Sequence, residues 1–139
     1  MKLKEIMTSD VQVIQVNDSL QTAARKMRDS DIGFLPVFDG DQLVGVLSDR
    51  DIVIRAIAEG ADPNLMLGRG LATSPAIYCF EDQEIEQAAQ LMHDNQIRRL
   101  VILNRGDRRL VGVVSLSDLA MNADIKLTDK VLQSVFEPV

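Results

Sequence analysis

Apolar positions along this chain switch between two periods, and the switching happens twice. Residues 11–16 form a short extended stretch, after which Leu20, Ala23, Ala24 and Met27 recur at helical spacing. Asp18 stands where an N-cap belongs, with Gln21 three residues on in capping-box position. Two β-rich runs follow, residues 34–38 and 43–47, joined by Asp39-Gly40-Asp41-Gln42, a segment with strong hairpin chemistry. The pattern then predicts a helix over about residues 49–58, stopped by Gly60. The same order returns downstream, with residues 76–80 extended and Ile85, Ala88, Ala89 and Met92 at helical spacing.

The recurrence is a duplication. At an offset of 65 positions Thr8-Ser9 falls on Thr73-Ser74, Ala23-Ala24 on Ala88-Ala89, Met27 on Met92 and Leu35 on Leu100. The offset then becomes 67, which places Leu43-Val44-Gly45-Val46 on Leu110-Val111-Gly112-Val113, Ser48 on Ser115 and Asp51 on Asp118. The two extra residues lie between Asn104 and Leu110, in a turn, where an insertion is least disruptive. The expected fold class is mixed α/β (α+β), with two tandem β-α-β-β-α repeats. Each is too small to bury a comfortable core alone, so the two are expected to pack sheet to sheet. Residues 1–62 are read as the first repeat, 63–72 as a linker within the connector 61–70 and its flank, and 73–123 as the second repeat. Residues 124–139 are a short helical extension, with Leu127, Val131, Leu132, Val135 and Phe136 as an apolar stripe and Thr128 as its cap.

Composition narrows the class. With 46% apolar and 26% charged residues the chain reads as a soluble globular protein, and no apolar run approaches the ~20 residues of a membrane span. No secretory signal opens it, so a cytoplasmic location is expected. A formal net charge of −6 argues against nucleic acid as a partner. Cys79, alone of its kind and set among Ile77, Tyr78 and Phe80, reads as a buried structural thiol, although pairing between chains is chemically open. His93 is the only histidine and Cys79 the only cysteine, so a transition-metal site of the usual N/S type is not expected.

The strongest local signal is Gly45-Val46-Leu47-Ser48-Asp49-Arg50-Asp51, echoed by Gly112-Val113-Val114-Ser115-Leu116-Ser117-Asp118. In each, an apolar strand delivers a Ser to a strand-to-helix junction, with an Asp one turn on. Helix capping explains both residue types. A ligand reading is compatible with it: the junction suits a phosphate, and the carboxylate can accept from both hydroxyls of a ribose diol. Asp49 and Asp51 do not form a metal pair, since two residues in a helix start point about 200° apart.

The repeated Gly-h-h-Ser-x-x-Asp pattern, behind a β-α-β-β unit with Leu35-Pro36-Val37, resembles the cystathionine-β-synthase (CBS) domain. Two in tandem resemble a CBS pair, or Bateman module. The run 48–55 followed by Gly60-Ala61-Asp62-Pro63-Asn64 is similar to stand-alone bacterial CBS-pair proteins, the hypoxic-response type included. The resemblance implies clefts between the repeats that bind an adenosine-containing ligand such as AMP, ADP, ATP, NAD or S-adenosylmethionine. By the same resemblance, Asp51 and Asp118 hold ribose hydroxyls, Ser48 and Ser115 lie by the phosphate or ribose, and groups near Val11, Val13, Ala76 and Tyr78 flank the base. Arg98-Arg99, where the first copy has Gly33-Phe34, are candidates for phosphate contact. Because Val101 also replaces Pro36, the clefts are expected to be unequal, with one good site.

No nucleophile elbow, P-loop or dinucleotide fingerprint is present, so no enzyme activity and no catalytic cofactor are expected. The expected partners are a second copy of the chain, as a homodimer, a small adenosine derivative, and a separate protein target that receives the signal. The alternative is a ligand-free dimeric module for protein interaction.

Overall fold

The computed structural model describes residues 1–124 together with Lys126, Asp129, Lys130, Leu132 and Gln133. Apart from Leu132, the expected C-terminal stripe and its cap lie outside the described residues. The chain forms two compact units. One is built from Gln12–Ala76, the other from Met1–Val11 together with the chain from Ile77 onward.

The first unit runs β1 (Ile14–Gln15), α1 (Leu20–Ser30), β2 (Phe34–Asp39), β3 (Gln42–Ser48), α2 (Asp49–Asp51) leading into a π-helix (Ile52–Ile57), and α3 (Gly68–Leu71). The second begins with a 3-10 turn (Leu3–Glu5) and resumes with β4 (Tyr78–Phe80), α4 (Ile85–Asn95), β5 (Arg99–Leu103), β6 (Leu110–Ser115) and α5 (Leu116–Asn122). Each unit therefore holds one three-stranded sheet and its helices, the expected mixed α/β class. The opening strands are shorter than the extended stretches read from the sequence.

In both sheets the first strand runs parallel to the second, and the second pairs antiparallel with the third. Even the irregularity repeats. Val37 faces Gly45 and Phe38 faces Leu43, so Val44 is left over; Ile102 faces Gly112 and Leu103 faces Leu110, so Val111 is. A bulge of this kind turns the local alternation and strengthens the twist.

Alternation fixes which face is core. Leu35 and Val37 point toward Leu20, Ala23, Met27 and Ala56 in the first unit, while Leu100, Ile102 and Val114 pack with Cys79, Ala88, Met92 and Leu119 in the second. Ala23 and Ala88 are fully buried, which lets each long helix sit close to its sheet. Ala24, in contrast, is exposed, whereas its counterpart Ala89 is buried.

The cap of α1 differs from the expectation. Ser19, not Asp18, is the N-cap, its hydroxyl accepting from the Thr22 N–H. The Asp18 carboxylate accepts from the Gln15 N–H at 2.8 Å instead, closing the turn that follows β1. In α4 the equivalent place is held by Glu84, in a reciprocal box with Gln87.

Segments 61–70 and 1–11 are integral parts of their units. In the first, Leu20 N–H donates to Met66 O, Gly68 N–H to Asp18 O and Arg69 N–H to Val16 O, and Leu71 is buried. In the second, Leu3 is fully buried in the core. Thr73 exchanges two backbone hydrogen bonds with Val46 (2.8 and 3.0 Å), and Thr8 exchanges two with Val113 (both 2.9 Å). The aligned Thr-Ser pairs thus each join the sheet of the opposite repeat. This crossing explains the glycine of the motif: a Cβ on Gly45 would lie 2.6 Å from Thr73 O, and one on Gly112 2.7 Å from Met7 Sδ and 2.9 Å from Thr8 O.

Candidate functional site

In the second unit, β6 delivers Ser115 to the start of α5, where it is the N-cap. Its Oγ accepts from Asp118 N–H at 3.1 Å, and its own N–H donates to Asp118 Oδ2 at 2.8 Å. This reciprocal box satisfies two backbone donors that the helix start would otherwise leave unpaired. It occupies one carboxylate oxygen; among the described residues no donor reaches Asp118 Oδ1. Asp118 is half-buried, so this oxygen sits beside a partly dehydrated surface.

Strand register surrounds it with the remaining candidates. Arg99 stands directly opposite Ser115, and Tyr78, Val101 and Val113 form the neighbouring row across all three strands. Since side chains directly opposite share a face, and Leu100, Ile102 and Val114 take the core face, these five lie on the other one. Arg98, just before β5, accepts the Leu116 N–H on its carbonyl at 2.7 Å.

Tyr78 is held by residues outside the repeated motif. The Arg108 guanidinium donates to its Oη and lies 5.2 Å from the ring centroid, while Phe80 meets the ring edge to face at 5.6 Å. Arg105 stacks 4.4 Å above Phe80 and forms a two-pronged ion pair with Asp82, which holds the Asp82 carboxyl below its ordinary range. Arg105 and Arg108 both come from the turn that carries the two-residue insertion. Three arginines in five turn residues were the signal available.

The first unit repeats the box. Ser48 Oγ accepts from Asp51 N–H at 3.1 Å, and Ser48 N–H donates to Asp51 Oδ2 at 2.9 Å. Its other carboxylate oxygen also accepts no hydrogen bond among the described residues, but it faces a cation: Arg55 Nε lies 3.8 Å from Oδ1, in ion-pair range, and Arg55 Nη1 donates to Leu71 O at 3.2 Å and Thr73 Oγ1 at 3.4 Å. Phe34 stands opposite Ser48 where the second unit has Arg99. Asp49 packs against Gly33, where a Cβ would come within 2.6 Å of its carboxylate; Leu116 and Arg98 hold those two places in the other copy. Val13 falls beside this sheet, its carbonyl accepting from Lys26 Nζ at 2.6 Å.

The predicted base-flanking residues are divided. Val13 and Ala76 belong to the first unit with Ser48 and Asp51, whereas Val11 and Tyr78 belong to the second with Ser115, Asp118, Arg98 and Arg99. Cys79 is fully buried, and burial pushes its thiol up to about 11, away from the range of a reactive thiolate. Among the described residues no group of three or more His, Cys, Asp or Glu side chains is arranged to hold a metal ion, and no helix is long and apolar enough to cross a membrane.

Comparison with known proteins agrees with the fold and the duplication. The chain is 37% identical over 118 residues to Hypoxic response protein 1 of Mycobacterium tuberculosis, covering 84% of this chain and 81% of that protein. It superposes on the crystal structure of Hypoxic Response Protein I with two coordinated zinc ions at a TM-score of 0.79 and 35% identity, over 88% of this chain and 99% of that one. The CBS domain pair of protein MJ0100, solved in complex with 5-methylthioadenosine and S-adenosyl-L-methionine, matches at a TM-score of 0.76 and 25% identity over 87% and 94% of the two chains. The family model described as CBS domain matches residues 3–57 and again 69–123. With the motif, the fold and the sequence relatives in agreement, this chain belongs to the CBS domain family and carries two copies of that domain in tandem.

Proposed function

We propose that this CBS pair is a regulatory protein that binds an adenosine-containing ligand and passes the signal to a separate protein. The observation that carries the reading is the open Oδ1 of Asp118, next to a sheet face on which Tyr78, Val113 and Arg99 keep exposed surface. In this reading Asp118 accepts from the ribose hydroxyls, Tyr78 and Val113 flank the base, and Ser115 lies beside the ribose. Arg99, with Arg98 next to it, meets a phosphate or another anionic group. The relative solved with 5-methylthioadenosine and S-adenosyl-L-methionine supports the ligand class. AMP, ADP, ATP, NAD and S-adenosylmethionine are the candidates. No bond is made or broken in this role. The ligand acts by favouring one of two states of the protein, which requires different affinities for them.

A second reading, a ligand-free dimeric interaction module, is favoured by one observation. Val53, Ile54 and Ile57 are all exposed on the π-helix of the first unit.

Titration calorimetry separates the two. With any one of the five ligands we expect saturable binding that is lost in Asp118→Ala. At about 100 times the dissociation constant, the ligand adds about 2.7 kcal/mol of stability. Absence of both heat and thermal shift at millimolar concentration for all five leaves the interaction module as the function.

A further inference from the structure

The two copies share the Ser-x-x-Asp box, yet only one leaves it open, and the cause lies in two residues outside the motif. Arg55, one turn beyond Asp51, places its guanidinium 3.8 Å from Asp51 Oδ1 and is anchored there by Leu71 O and Thr73 Oγ1. Lys26, on α1, donates to the carbonyl of Val13, the residue aligned with Tyr78. The positions equivalent to these in the second repeat are Asn122 and Leu91, neither of them a cation. Asn122 turns back to its own helix and donates to Asp118 O at 2.8 Å, clear of the carboxylate.

We propose that Arg55 and Lys26 are internal plugs: Arg55 holds a positive charge in ion-pair range of the Asp51 carboxylate, Lys26 hydrogen-bonds the Val13 carbonyl, and together they compete with a nucleoside there and so restrict the chain to one ligand, bound at Asp118. The inference rests on the adenosine reading above and adds the residues that decide which copy is used. Three features support it. The acceptors at issue are the carboxylate oxygen left after capping and the carbonyl of Val13, just before β1. Each is met by a long cationic side chain with no counterpart in the other copy. Arg55 is additionally held by two acceptors of the segment around Thr73, so its guanidinium stays in place without the ion pair. An exposed pair of this type weighs up to about fivefold in an equilibrium constant, and loss of the carbonyl acceptor adds to it.

The test exchanges the residues between copies in the full chain. Wild type, the double variant Lys26→Leu with Arg55→Asn, and the reciprocal variant Asn122→Arg are titrated with AMP, ADP, ATP, NAD and S-adenosylmethionine. Far-UV circular dichroism confirms that each is folded. We expect one site per chain in wild type, and two in the double variant. The added site survives Asp118→Ala and disappears on further Asp51→Ala. Asn122→Arg weakens the wild-type site by about fivefold. If wild type binds one ligand, but the double variant stays at one and Asn122→Arg leaves affinity within twofold, the plugs are refuted while the adenosine reading stands. Two sites of similar affinity in wild type refute them equally. No binding by any variant removes the adenosine reading and this inference together.

Discussion

Gly45 and Gly112 show how a single residue can be demanded by a neighbour distant in sequence. Neither has an unusual backbone conformation; each is glycine because another strand's carbonyl passes where a Cβ would be. The two are not equivalent. Beside Gly45 the nearest atom is the carbonyl oxygen of Thr73, which is fixed by its own hydrogen bonds to Val46, whereas the first atom met beside Gly112 is the mobile sulfur of Met7. Gly45→Ala should therefore destabilise by about 1–3 kcal/mol, the usual range for overpacking, and Gly112→Ala by less. Urea unfolding of the two variants checks the order. In the sequence this glycine is visible as part of a repeated motif, but its reason is not, because the residue that forbids a side chain lies 28 positions from Gly45 and on the far side of a turn and two helices.

At the scale of elements, period and capping chemistry carried the reading well. Both hairpins, both long helices and the two Ser N-caps after β3 and β6 stand where the pattern placed them, since each depends on residues within a few positions of one another. The cap of α1 is the instructive miss. Asp18 and Ser19 are adjacent, both are good caps, and local chemistry does not rank them; the turn after β1 takes Asp18 for the Gln15 N–H and leaves Ser19 to the helix. Ser19→Ala should accordingly cost about 1 kcal/mol in thermal or urea unfolding, in the manner of other lost N-caps. A loss from Asp18→Ala larger than that from Ser19→Ala would contradict the assignment. The π-helix was also not legible. Its marker, the Ala58 N–H donating to Val53 O, is a hydrogen-bond slip that leaves apolar residues at positions a regular helix would also accept.

For the molecule as a whole, the compact units and the sequence repeats do not coincide. Met1–Val11 packs with the second repeat, contributing Leu3 to its core and Thr8 to its sheet, while the chain through Ala76 completes the first. Deleting residues 1–8 should therefore loosen the unit that contains β4 to α5 and leave residues 12–76 protected, an asymmetry that hydrogen exchange read by mass spectrometry detects directly. Equal loss in both units, or loss confined to residues 12–76, would contradict it. The sequence by itself determined the duplication, the element order, the core faces and the paired Ser and Asp, because each is written in periodicity or in neighbours a turn apart. Tertiary structure alone decided which segment completes which unit, since Thr8-Ser9 and Thr73-Ser74 are identical locally and only long-range pairing tells them apart. It also decided which Asp keeps an oxygen open. That difference arises where Arg55 and Lys26 reach acceptors brought near them by folding, through contacts that no spacing along the chain records.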